Sequence, residues 1–175
     1  AVVTNDDELA KTVRMLRDFG QDKKYHHQLR GFNYRMETIQ GAVLDVKLKY
    51  LEQWTEQRRR IAQWYLQELK NIPRIELPNP PEHMHHVYHV FAVCVPERDR
   101  VQQQLQKQGI ATNIHYPIPV HLQPAYADLG YAKNSLPVSE RLAQQFLALP
   151  IYPELNQTQV QQVCAALHQT FAVAL

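Results

Sequence analysis

Lys23, Lys24, His26, His27, Arg30, Asn33 and Arg35 fall in one irregular, cation- and histidine-rich stretch, residues 21–35. Fixed cations, imidazoles and a side-chain amide gathered in one loop can hold an anion such as a phosphate or a carboxylate. Asn33 and Arg35 stand at the entrance to a helical pattern, where free backbone N–H groups also favour negative charge. The competing reading is a helix-entry turn in which Asn33 tolerates unusual φ/ψ. Spacing alone favours the plain turn and leaves the anion site open.

A second group is His115, Tyr116 and His121, in Asn113-Ile-His-Tyr-Pro-Ile-Pro-Val-His121. Loops that leave strands often carry binding side chains on a rigid scaffold. The prolines fix φ there, so ring positions can be set with little entropy left to lose. A solvated proline-rich loop accounts for the same residues equally well. A third group is His83, His85, His86 and His89. On a helix, His85 and His89 could approach one ion. The segment runs into a strand instead, where His83, His85 and His89 would spread over about 20 Å, too far for one metal. No metal site is expected. His168 stands alone, at a surface position of the last helix.

Other chemistries are poorly supported. No Ser-His-Asp or Cys-His pattern is apparent. The chain has 5 glycines, none paired as Gly-x-Gly, so a Rossmann or P-loop nucleotide site is not supported. A net charge of +2 over 175 residues gives no argument for nucleic acid. The basic run Arg58-Arg-Arg60 reads as a solvated helix face. No apolar run approaches the ~18 residues that span a bilayer, so no membrane partner is expected. Cys94 and Cys164 sit in apolar patterns, which suggests buried free thiols in a reducing cytoplasm. Residues 1–4 read as the end of a strand, so the chain reads as beginning inside a domain.

The elements that must position these groups follow from periodicity. Leu9, Ala10, Val13 and Leu16 predict a helix over residues 6–17, stopped by Gly20. Helical spacing resumes at Met36 and runs without proline to Ile72, with a bend near Trp54 and Thr55. Pro73, Pro78, Pro80 and Pro81 mark a linker with a short extended piece at residues 75–77. Residues 87–95 predict a strand. Pro96 opens a helix to about residue 108. Residues 110–115 predict a second strand, 138–147 a helix and 148–151 an extended run. Asn156 or Thr158 caps a final helix with Val160, Val163, Ala166, Leu167 and Phe171 on one face. Strand, helix, strand and terminal helices imply a small α+β domain.

Three motifs carry a family resemblance. They are Gly31-Phe-Asn-Tyr-Arg-Met-Glu-Thr-Ile-Gln-Gly-Ala42, Gly109-Ile-Ala-Thr-Asn-Ile-His-Tyr-Pro-Ile-Pro-Val-His-Leu-Gln-Pro-Ala-Tyr126, and Leu149-Pro-Ile-Tyr-Pro-Glu-Leu155, with Arg58-Arg-Arg-Ile-Ala between the first two. Together they resemble sugar aminotransferases of the DegT/StrS type, in consistent order over nearly the whole chain. The resemblance implies an α/β to α+β fold class: the C-terminal portion of the aspartate-aminotransferase-like (fold type I) transferase. Residues 1–35 would be the end of the large cofactor domain and the dimer-crossing loop. Residues 36–72 would be long linking helices, and residues 73–175 the small α+β domain.

The same resemblance implies a pyridoxal-phosphate enzyme, usually a homodimer, that aminates nucleotide-linked keto-sugars with glutamate or glutamine as donor. It places Asn33 near the cofactor phosphate of the neighbouring subunit, with Arg35 on the same turn. Lys23, Lys24, Tyr25 and His26 lie on the crossing loop beside the substrate diphosphate. His115, Tyr116 and His121 fall in the motif that borders the sugar-nucleotide pocket. The Lys24-Tyr-His-His27 form is closer to members acting on 3-keto sugars. The family's Schiff-base lysine belongs to a segment ahead of Ala1. No lysine here (Lys11, Lys23, Lys24, Lys47, Lys49, Lys70, Lys107 or Lys133) follows a serine in the family's manner. A chain without that amine is expected to be inactive alone. The alternative is a non-catalytic binding or oligomerisation module derived from the fold.

Overall fold

Asp6 starts the first helix: its side chain accepts the Leu9 N–H at 3.0 Å, and α1 spans Asp7–Arg17. The computed structural model describes residues 1–172, so the last three positions of the 73–175 segment lie outside the described residues. The chain divides into two units, Ala1–Tyr50 and Leu51–Leu175.

In the first unit α1 ends at Asp18, and Gly20 turns the chain with φ +75°. A small antiparallel hairpin follows, β1 (Gln21–Lys23) and β2 (His26–His27), with Tyr25 at its tip at φ 68°. Residues 21–34 are thus not wholly irregular. The Gln21 side chain accepts the Tyr25 N–H, and Gly20 O accepts the N–H groups of Gln28 and Leu29. These bonds satisfy backbone that periodicity leaves unassigned. The chain returns along α1: Phe32 N–H donates to Leu16 O at 2.7 Å and Tyr34 N–H to Arg17 O at 2.8 Å. Helix α2 (Thr38–Leu48) begins where the Gln40 side chain accepts the Glu37 N–H. It buries no residue within its unit; Met36, Ile39, Val43 and Leu44 are all exposed.

The helical run from residue 36 breaks at Lys49 and Tyr50, not near Trp54. Tyr50 N–H returns to Lys47 O, a tighter turn that ends α2. Helix α3 (Leu51–Leu69) then opens the second unit. Ile61, Tyr65 and Leu69 recur at helical spacing and are fully buried. They meet Phe91 and Val93 of β3 (Phe91–Cys94), Val101 and Leu105 of α4 (Arg98–Lys107), Leu147 of β4 (Phe146–Leu149), and Val160 and Leu167 of α6 (Gln157–Ala172). Each such side chain contributes about 1.5–3 kcal/mol by leaving water. The Tyr65 ring stacks on Phe91 at 4.9 Å, and its hydroxyl donates to Pro150 O at 2.9 Å.

Strands β3 and β4 pair antiparallel, with Phe91 opposite Leu149 and Cys94 opposite Phe146. Glu76 adds a bridge to Cys94, and Asn113 a bridge to Ala148. Three sequence expectations are corrected here. The strand begins at Phe91 and not at residue 87, because the preceding backbone is tied elsewhere: Arg59 Nε donates to His86 O, Arg58 Nη1 lies near His89 O, and Tyr88 has φ 47°. Residues 110–115 form no strand beyond the Asn113 bridge, since Asn113 alone of them exchanges ladder bonds, with Ala148 of β4. Helix α5 (Pro137–Gln145) stops before Phe146, whose backbone pairs with Cys94 instead.

Two basic groups do structural work. Arg58 Nη1 donates to Ile151 O at 2.9 Å, Arg59 Nη2 lies 2.7 Å from His85 Nδ1, and Arg60 stands over the Trp64 ring. The run therefore fastens neighbouring segments and is not simply solvated. Buried Arg98 donates to Ala143 O and Phe146 O and closes the carbonyl end of α5. Cys94 and Cys164 are free and buried; burial, with Glu68 adding, pushes the Cys164 thiol up to about 12. Among the described residues, no helix is long and apolar enough to cross a membrane, and no three metal-ligating side chains converge.

Candidate functional site

The expected site residues fall into two groups, one in each unit. In the first unit, Lys23, Tyr25 and His26 share the exposed hairpin, where the Lys24 ammonium lies 5.1 Å from the Tyr25 ring centre. A bulky residue at φ 68° is strained backbone, and it presents the ring to solvent, 79% exposed. His27 is turned away from the others: its Nδ1 lies 2.9 Å from Phe19 O.

Asn33 and Arg35 lie on the returning segment. Asn33 pairs with Asp18 in an antiparallel bridge, and its Oδ1 lies 3.5 Å from the Arg35 N–H. The Asn33 amide nitrogen has no partner among the described residues, so a donor stands ready at an exposed turn. Arg35 is differently placed. Its Nη1 is 3.3 Å from Asp18 Oδ1, and its guanidinium lies 5.5 Å from the Phe19 ring centre. Asp18 Oδ2 accepts the Gln21 side-chain amide at 2.7 Å. Arg35 thus braces the turn through Asp18 while its side chain stays half-exposed, and the Asn33 amide N–H faces the same exposed turn. Asp18 is a residue that the sequence reading missed.

In the second unit His115 and Tyr116 lie edge to face, with ring centres 5.5 Å apart, and the peptide bond joining them is cis. Tyr116 is 72% exposed. Both line a cavity of about 600 Å³ whose walls include Ile118, Val120, Tyr126, Tyr131 and Phe146. His121 lines the same cavity, though it is not exposed as they are. It is buried, with its Nε2 3.2 Å from Glu140 Oε1 and its ring edge-on to Tyr131.

Glu140 went unnoticed in the sequence. It accepts the Asn134 N–H at 2.9 Å and the Leu136 N–H at 3.3 Å, as well as facing His121. The Asn134 N–H holds its carboxyl below the ordinary range; desolvation opposes this, and His121 and the Leu136 N–H reinforce it. The only local signal was a Glu four residues beyond Leu136 at a helix start, a position from which a carboxylate can reach back to free N–H groups.

A depressed carboxyl pKa stabilises the fold above the unfolded value, about 4.3, and the contribution is lost as pH falls through the lower folded value. Glu140→Gln is therefore expected to melt below the wild type at about pH 7, and the gap is expected to narrow as pH falls below about 4. Thermal melts of both proteins across that range check it.

The comparisons with known proteins bear on the chain as a whole. Residues 1–168 match the DegT/DnrJ/EryC1/StrS aminotransferase family. The erythromycin biosynthesis sensory transduction protein EryC1 of Saccharopolyspora erythraea is 46% identical over 95% of this chain and 46% of its own length. The dTDP-3-amino-3,6-dideoxy-alpha-D-galactopyranose transaminase of Aneurinibacillus thermoaerophilus is 41% identical over 97% of this chain and 46% of its own. Among solved structures, S. venezuelae DesV superposes with a TM-score of 0.89 at 41% identity, covering 95% of this chain and 45% of that one. The chain spans about half the length of the relatives it matches. On the family match and this likeness of fold and sequence, the chain belongs to the DegT/DnrJ/EryC1/StrS aminotransferase family.

Proposed function

We propose that this chain is the substrate-binding and subunit-pairing portion of a pyridoxal-phosphate-dependent aminotransferase. The enzyme converts a nucleotide-linked 3-keto sugar to the amino sugar, with glutamate or glutamine as donor. The observation that carries the reading is the exposed Asn33 turn, braced by Arg35 and Asp18 beside a cation-bearing hairpin, in a chain that matches the family over residues 1–168.

The donor set suits the cofactor's phosphate. Asn33 offers an amide N–H at an exposed turn, and Lys23 and Lys24 lie on the hairpin that precedes it. Pyridoxal phosphate, when bound, supplies the electron sink that transamination needs. This chain's residues do the holding. Asn33 donates to the phosphate, in the site of a neighbouring subunit of a homodimer. Lys23 offsets the charge of the sugar nucleotide's diphosphate, His26 offers it a ring N–H, and Tyr25 covers it. His115 and Tyr116 orient the sugar from the rim of their cavity. The lysine that anchors the cofactor belongs to the remainder of a longer polypeptide. The wholly exposed apolar face of α2 supports this reading, because such a face is stable when more protein covers it. The 3-amino sugar named for the A. thermoaerophilus relative supports the 3-position.

The test is amination by the full-length polypeptide. Loaded with pyridoxal phosphate and given glutamate, it is expected to convert a dTDP- or UDP-linked 3-keto hexose to the amine, read by mass spectrometry. Conversion of simple keto acids alone, with every sugar nucleotide left untouched, contradicts the proposal.

A further inference from the structure

The segment that carries His115 and Tyr116 is fastened on both sides. Before it, Asn113 N–H donates to Ala148 O at 3.1 Å and Ala148 N–H to Asn113 O at 2.8 Å. After it, His121 is buried against Glu140. The carboxylate does more than meet the imidazole. Its two oxygens also take the N–H groups of Asn134 and Leu136, and Asn134 sits at φ 71°, a left-handed turn that Asn tolerates. One side chain on α5 thereby ties together the short 3-10 turn Val120–Leu122, the loop before α5, and α5 itself. These segments contribute Val120, Tyr131 and Leu136 to the cavity that His115 and Tyr116 border.

We propose that Glu140 and His121 are positioning residues: their buried pair holds the His115–Tyr116 loop in its sugar-binding shape before substrate arrives. The inference rests on the aminotransferase reading, adds Glu140 to it, and gives His121, which also lines the cavity, a holding role. Between the two fastenings, Pro117 and Pro119 already restrict the backbone. Without the second fastening the loop would be ordered only on binding, and that ordering cost would appear as weaker affinity. A cost common to the bound state and the transition state raises KM and spares kcat. A residue acting on the chemical step would instead lower kcat.

The test uses the full-length enzyme loaded with pyridoxal phosphate. His121→Leu keeps apolar volume and removes the donor. His121→Gln keeps an N–H near the place of Nε2. Glu140→Gln replaces one acceptor oxygen with a donor that faces another donor. His121→Leu and Glu140→Gln are expected to raise the sugar-nucleotide KM about tenfold, with kcat within about twofold, and His121→Gln to stay within about threefold of wild type. If Glu140→Gln fails to fold, the two His121 variants decide the matter. The proposal is overturned if kcat and kcat/KM fall together, if KM does not move in His121→Leu, or if His121→Gln is as impaired as His121→Leu. A wild-type enzyme that aminates no sugar nucleotide overturns the functional reading beneath it, which the wild-type control reveals separately.

Discussion

Gly31→Ala is expected to unravel the turn that presents Asn33 while the second unit stays folded. A Cβ at Gly31 would lie 2.1 Å from Gly20 N and 2.6 Å from Phe19 C, and both are backbone atoms. No rotamer change relieves such a contact, so the chain itself must move. Gly20 is equally confined: its own Cβ would meet Leu29 O at 1.8 Å, at φ +75°. The two glycines interlock where α1 ends and the chain returns, and the return carries the Asp18–Asn33 bridge and the Asp18–Arg35 ion pair. Overpacking of this kind costs about 3 kcal/mol or more when backbone must yield. The first unit has little buried apolar surface with which to absorb it. Hydrogen exchange is expected to show loss of protection at the Phe32 and Tyr34 amides, which donate to Leu16 O and Arg17 O. Protection in α3 and β3 is expected to persist. Retained protection at Phe32 contradicts the interlock.

Phe91→Ala has the opposite pattern, because it strikes the second unit at its centre. Phe91 is fully buried, stacked on Tyr65 and within 6.1 Å of the Tyr88 ring centre. It is also the first residue of β3, opposite Leu149. Removing a buried phenyl ring leaves a cavity that the sheet on one side and α3 on the other cannot close, at a cost of about 3–5 kcal/mol. That is a large part of the stability of a domain this size. Urea denaturation is expected to show a midpoint shifted down with an unchanged slope. A midpoint near the wild type's would mean the core is not centred on this ring.

These two sites also show what the sequence could and could not tell. The helix starts were legible because caps are local: Asp6 accepts the Leu9 N–H, and Asn156 and Gln159 bond each other's backbone reciprocally. The core face of α6 followed from Val160, Val163 and Leu167 at helical spacing. Residues 87–90 misled because β-branched and aromatic composition marks a strand only where the backbone is free to pair. Here distant arginines, Arg58 and Arg59, lie against the carbonyls of His89 and His86. The break at Lys49 and Tyr50 carries no glycine or proline to announce it.

The site divides in the same way. Asn33, His115 and Tyr116 were visible as exposed polar and aromatic residues in irregular segments. His121 was visible too, but its burial was not, since the Glu140 that holds it lies 19 residues further along the chain. Likewise Arg35 reads as a free cation until Asp18, at the far end of a returning loop, is seen beside it. Partners that folding brings together across a loop leave no mark in local spacing.

The central claim is that Asn33 serves the cofactor site of a neighbouring subunit. The most direct measurement mixes two inactive variants of the full-length enzyme: Asn33→Ala, and a variant lacking the cofactor-anchoring lysine. If Asn33 acts across the interface, each mixed dimer holds one intact site. Random pairing makes half the dimers mixed, so co-refolding is expected to restore about a quarter of wild-type specific activity. A mixture that stays at the level of the separate variants, or an Asn33→Ala enzyme with full activity and cofactor affinity, would contradict the claim.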